Sequence, residues 1–148
     1  MIEKEKVKEM LIKHEGIRFK PYKDSVGKLT IGVGRNLDDV GIRPDEAEYL
    51  LKNDIDECVK QLSQKLSWFE TAPDNIQLVL IDMCFNLGIG GLLSFKNTLE
   101  LIRTGQYKEA SQSMLKSLWA KQVGKRAIEL SDIVKSCENG KNISIQGM

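Results

Sequence analysis

Apolar residues recur at helical spacing near the start of the chain. Val7, Met10, Leu11 and the stem of His14 share one face. Gly16 closes that helix, because glycine accepts the left-handed backbone that ends many helices, and Glu15 is left in the final turn. The period then changes. Phe19-Lys20-Pro21-Tyr22 leads into the turn-rich Lys23-Asp24-Ser25-Val26-Gly27. From Lys28 to Val33 the residues alternate, with Leu29, Ile31 and Val33 on one face and Thr30 and Gly32 on the other. This is the pattern of a β-hairpin, and a third short strand is expected near Asn36 to Val40.

Arg43-Pro44-Asp45-Glu46-Ala47-Glu48 reads as a helix start, with proline in the first turn and carboxylates at the positive end of the dipole. Ala47, Leu51, Ile55, Cys58 and Leu62 continue the stripe and predict a long helix over about residues 44–64. Pro73 opens an almost continuously apolar helix through Leu87, expected in the core and broken by Gly88-Ile89-Gly90-Gly91. Ser94 is expected to cap a short helix ending at Thr104-Gly105. Tyr107 to Trp119 and Arg126 to Cys137 carry two further helical patterns, and the polar tail after Glu138 is expected to fray. The class is therefore α+β and mainly helical. One domain, residues 1–148, holds a small β lobe (about 16–43), a linking helix (about 44–64) and a helical lobe (about 65–137, with the N-terminal helix). A cleft between lobes is the expected place for a ligand.

Composition narrows the picture. A chain of 148 residues with 41% hydrophobic and 29% charged residues can bury a core without metal or disulfides. A net charge of +1 gives no field for nucleic acid or an anionic membrane. Cys58, Cys84 and Cys137 are far apart and form no CxxC, so reduced, mostly buried thiols are expected rather than a metal or redox site. MIEKEKVKEM lacks the apolar segment of a secretory signal, and no run is expected to reach the roughly 18 apolar residues of a membrane span.

Several motifs fail. His14-Glu15 is no metalloprotease signature, because Arg18 stands where HExxH needs its second histidine. Gly32-Val33-Gly34 is no dinucleotide fingerprint, because Leu37 replaces the third glycine. What survives is Glu15, Asp24 and Thr30. Singly, each has a plain reading: a solvated helix end, a turn cap, a strand residue. Together they suggest more. The negative end of the helix dipole disfavours a bare carboxylate at Glu15, which suits a proton donor. Turn N–H groups favour an ionised Asp24. Two carboxyl groups in opposed settings are the pattern of glycoside hydrolysis, and Thr30 could hold a water near Asp24.

The spacing Glu-x8-Asp-x5-Thr, set in HEG…YKD…LTIGVG, resembles the phage-type lysozymes, glycoside hydrolase family 24. DEAEYLLKNDID, DMCFNLG, SFKNTL, YKEASQSMLKSLW and GKRA have counterparts in the same order, so the resemblance runs from about residue 7 to 135. It implies a lysozyme-like two-lobed fold and a muramidase that hydrolyses the β-1,4 bond between N-acetylmuramic acid and N-acetylglucosamine in peptidoglycan, with inversion. By the same resemblance Glu15 is the general acid, Asp24 and Thr30 act on the attacking water, and Arg126 pairs with Glu15. Asn36, Phe85, Asn86, Thr98 and Ser113 match substrate-facing positions, although packing or capping explains each about as well. Trp119 reads as core rather than a sugar platform. No cofactor or metal is implied.

The resemblance further implies a monomeric endolysin that stays in the host cytoplasm without membrane insertion or nucleic-acid binding, and reaches the wall after a holin opens the membrane. Arg35 departs from the family, where histidine is frequent, and the segment before the long helix is shorter than in T-even members. A lytic transglycosylase, giving 1,6-anhydro products, and an inactive wall-binding protein are the competing readings.

Overall fold

The protein is described by a computed structural model covering residues 1–146, with side chains through Glu138. Those residues form seven helices and one three-stranded antiparallel sheet of order β1-β2-β3, the expected mainly helical α+β class. They fall into two compact units, Met1–Leu50 and a second that starts at Leu51.

The first unit begins with α1 (Lys4–Glu15), stopped by Gly16 at φ 74°, whose N–H bonds the Ile12 carbonyl at 2.8 Å. The sheet follows as β1 (Arg18–Lys23), β2 (Leu29–Gly32) and β3 (Arg35–Asn36). Tyr22 pairs with Thr30 and Lys23 with Leu29, but the register slips between Arg18 and Tyr22. Pro21 lies in the slipped stretch, where a residue with no N–H leaves a ladder bond unmade. The third strand is Arg35–Asn36, earlier than expected. Asn36 instead starts a turn, its carbonyl accepting from the N–H groups of Val40 and Gly41.

The alternation in β2 left open which face is covered. Thr30 is the buried residue at 3% exposure, while Leu29 is 38% exposed. A period of two tells which residues share a face, not which face is covered.

Helix α2 (Pro44–Lys65) opens in the first unit and continues into the second, where Cys58 and Leu62 are its buried residues. Its start is half of a capping box: Glu46 Oε1 reaches back to accept the Arg43 N–H at 2.8 Å.

The remaining helices are α3 (Asp74–Leu93), α4 (Lys96–Arg103), α5 (Tyr107–Leu115), α6 (Leu118–Val123) and α7 (Lys125–Gln146). Leu62, Ile76, Val79, Leu80, Met83, Leu92, Met114 and Val134 are buried among them as one core. Gly88 breaks α3 at φ 76°, as its glycine run predicts, and the chain resumes helix to Leu93. By length and composition α3 is apolar enough to cross a membrane, contrary to the expectation that no segment reaches that mark. Here it supplies core residues, carries the Gly88 break, and pairs Asp82 with Arg126.

Two further boundaries differ from expectation. Ser94 does not cap α4; its hydroxyl donates to the Gly91 carbonyl at 2.6 Å, finishing α3. The pattern from Tyr107 to Trp119 is two helices, because the Ser117 hydroxyl accepts the Ala120 N–H at 3.1 Å and starts α6. The last helix runs past Cys137, and the side chains of the tail beyond Glu138 lie outside those described.

Cys58, Cys84 and Cys137 are free thiols, the first two buried. Burial and then the neighbouring Cys58 thiol push the Cys84 thiol up to about 12.

Candidate active site

Glu15 ends α1, placed there by the helix stop at Gly16. Its side chain lies over the turn that joins β2 to β3. The approach is so close that a Cβ at Gly34 would stand 2.9 Å from Glu15 Oε2. Within its own unit no group hydrogen-bonds the Glu15 carboxyl, and the residue is exposed.

Asp24 heads the turn between β1 and β2. Its Oδ1 accepts the N–H of Val26 at 3.0 Å and of Lys28 at 2.8 Å, so one carboxyl oxygen is fixed by the main chain. Its N–H donates to the Lys28 carbonyl at 2.9 Å. That same carbonyl accepts the Thr30 hydroxyl at 2.8 Å. The peptide groups of one residue, Lys28, therefore tie Asp24 and Thr30 together. This leaves Asp24 Oδ2 and the lone pairs of Thr30 Oγ1 as acceptors.

Arg35 sits directly after Gly34. Its guanidinium forks onto Glu46 at 2.8 and 2.9 Å and also bonds the Gly41 carbonyl at 3.1 Å. The Arg35 hydrogen bond, then the Arg43 N–H, hold the Glu46 carboxyl down at about 2. The sequence flagged Arg35 only as a departure. Its partner Glu46 is eleven residues on, a separation no local rule selects. The Asn36 amide is occupied inside its own turn, accepting from the Asp39 N–H at 2.9 Å and donating to Asp39 Oδ2 at 3.1 Å.

The other candidates lie in the second unit. Thr98 and Ser113 share a hydrogen bond of 2.7 Å between their hydroxyls, and both line a cleft of about 470 Å³ with Phe95, Asn97 and Trp119. Asn86 is exposed, and its Oδ1 accepts the Trp119 Nε1–H at 2.8 Å. Trp119 itself is only 4% exposed and meets Phe95 edge-on at 5.9 Å, which agrees with its reading as core. Phe85 is exposed on α3. Arg126 donates from Nε to Asp82 Oδ1 at 2.7 Å. Asp82 stands in the DMCFNLG segment, yet sequence reading gave it no role, because only the packing of α7 on α3 makes it a partner. Among the described residues no cluster of three or more His, Cys, Asp and Glu could hold a metal ion.

Comparison with known proteins places these residues in context. The model of the family described as phage lysozyme matches residues 12–135, which include every candidate named above. A probable T4-type lysozyme 1 of Dictyostelium discoideum is 28% identical, over 88% of this chain and 94% of that protein. An endolysin of Acyrthosiphon pisum secondary endosymbiont phage 1 is 29% identical, over 79% of this chain and 80% of its own length. The pre-baseplate central spike protein Gp5 of Enterobacteria phage T4 is 26% identical over 85% of this chain, which covers 27% of that longer protein.

Proposed function

The chain belongs to the phage lysozyme family and is a lysozyme-like peptidoglycan hydrolase, and on that premise we propose a specific bond, mechanism and role for it. The bond is the β-1,4 linkage from N-acetylmuramic acid to N-acetylglucosamine. Glu15 gives its proton to the leaving glycosidic oxygen. A water held by Asp24 Oδ2 and Thr30 Oγ1 attacks the anomeric carbon from the other side, and Asp24 takes the proton that the water loses. The product is inverted at that carbon, and Glu15 regains a proton from solvent.

The observation that supports this reading is that Lys28 hydrogen-bonds both groups, its amide to Asp24 and its carbonyl to the Thr30 hydroxyl. Two unlinked side chains would need to be ordered separately to hold one water.

In the same proposal Arg126 orients Glu15 when substrate is bound, and Asn36, Phe85, Asn86, Thr98 and Ser113 contact the polymer. The protein acts as a monomer, waits in the host cytoplasm and reaches the wall once a holin has opened the membrane, completing host lysis.

Muropeptide analysis tests the chemistry. Purified peptidoglycan digested by the parent should yield reducing N-acetylmuramic acid ends, with the α anomer formed first by NMR, and Glu15→Gln should yield them at least about 100-fold more slowly. Products of 1,6-anhydro type would make the protein a lytic transglycosylase. No digestion by the parent would leave a wall-binding protein.

A further inference from the structure

The triplet Gly32-Val33-Gly34 is unused by the chemistry above, yet its two glycines differ sharply in their surroundings. Both adopt the left-handed backbone, at φ 69° for Gly32 and φ 66° for Gly34. A Cβ at Gly32 would meet nothing within 4 Å. The nearest atoms to a Cβ at Gly34 all belong to Glu15, 2.9 Å from Oε2, 3.1 Å from Cδ and 3.2 Å from Cγ. Backbone conformation explains glycine at both positions. Only at Gly34 does the missing side chain also make room for a carboxyl group.

We propose that Gly34 is a positioning residue for the catalytic acid: its bare Cα is the floor on which the Glu15 carboxyl rests. The inference rests on the reading of Glu15 as proton donor. The floor is itself anchored. Arg35, the next residue, pairs with Ile31 across the sheet and forks onto Glu46 and the Gly41 carbonyl. The turn therefore has little freedom to retreat from an added methyl group. The Glu15 side chain, at the end of an exposed helix, has that freedom. An alanine at Gly34 should displace the acid rather than unfold the lobe.

Gly34→Ala and Gly32→Ala impose the same left-handed strain, so the pair separates strain from contact. Melting temperatures should fall by similar amounts. With soluble peptidoglycan fragments, Gly34→Ala should lower kcat on the order of 100-fold with KM close to the parent value, the penalty of a small misplacement of a reacting group. Gly32→Ala should keep kcat within a few-fold. If Gly34→Ala does not fold, Gly34→Asn carries the same Cβ with a better tolerance of the left-handed region, read against Gly32→Asn.

A Gly34 variant with no greater kcat loss than its Gly32 counterpart overturns the inference. Glu15→Gln is run in parallel. If it is inactive while the two glycine variants behave alike, only the role of Gly34 fails. If Glu15→Gln retains activity, the assignment of the acid fails and the inference falls with it.

Discussion

From Leu51 onward the chain organises itself by burial: Leu62, Ile76, Val79, Leu80, Leu92 and Met114 are fully covered in one apolar cluster. Residues Met1–Leu50 bury a single side chain, the polar Thr30, and rely instead on main-chain hydrogen bonds, left-handed glycines and the Arg35–Glu46 fork. The three proposed catalytic groups all stand in that second kind of structure. Burial is non-directional and fixes volume. Hydrogen bonds and turn geometry fix the direction in which a carboxyl oxygen points. A site that must aim two oxygens at one bond is better served by the latter. The comparison predicts that catalysis and stability will separate between the two units.

The largest effect should come from Glu15→Gln, which removes the proposed proton donor and should lower turnover of purified peptidoglycan by about 10²–10⁴-fold. Its melting temperature should stay near that of the parent, because the carboxyl has no hydrogen-bond partner within its unit to lose. Next, Leu80→Ala should cost about 2–5 kcal/mol in denaturant unfolding, by lost transfer energy and a residual cavity. The kcat of the folded protein should barely change. If Leu80→Ala depressed kcat as strongly as Glu15→Gln does, the proposed division between the units would collapse.

A smaller change is expected from Trp119→Phe, which keeps most of the ring packing but orphans Asn86 Oδ1. The loss should be about 1 kcal/mol by thermal or urea unfolding, since Asn86 is exposed and water can replace the donor.

The smallest effect concerns acid stability. The Glu46 carboxyl lies at about 2 when folded against an ordinary value of 4.5, so its pairing stabilises the fold fully above about 4.5. That contribution is lost as pH falls from there through about 2. Melting curves across the window should fall less steeply for Glu46→Gln than for the parent. The difference should be slight and shrink with added salt, because the pair faces solvent.

The amino-acid order made some of this legible and hid the rest for identifiable reasons. Gly16, Pro44 and Gly88 are local punctuation, and each marks a real boundary. Asp24-Ser25-Val26-Gly27 announced a turn capped by its own aspartate, and the Asp24 side chain does accept from Val26 and Lys28. The burial of Thr30 was not legible, because alternation is blind to which face is covered. The split at Ser117 was hidden because apolar spacing continues through it, and a capping hydroxyl declares itself only in three dimensions. Arg35 with Glu46, Arg126 with Asp82 and Glu15 with Gly34 all depend on segments brought together by folding. The candidate residues could be named from their order; the contacts that aim them could not.

Position 28 offers a practical opening. The bonds that join Asp24 and Thr30 use only its amide and carbonyl, while its ammonium makes one solvent-exposed pair with Asp39 at 3.2 Å. Any residue except proline, which lacks the amide hydrogen, could occupy it without removing these two bonds. A cysteine there could carry a fluorophore beside the proposed reacting centre, reporting polymer arrival in real time on an otherwise intact protein.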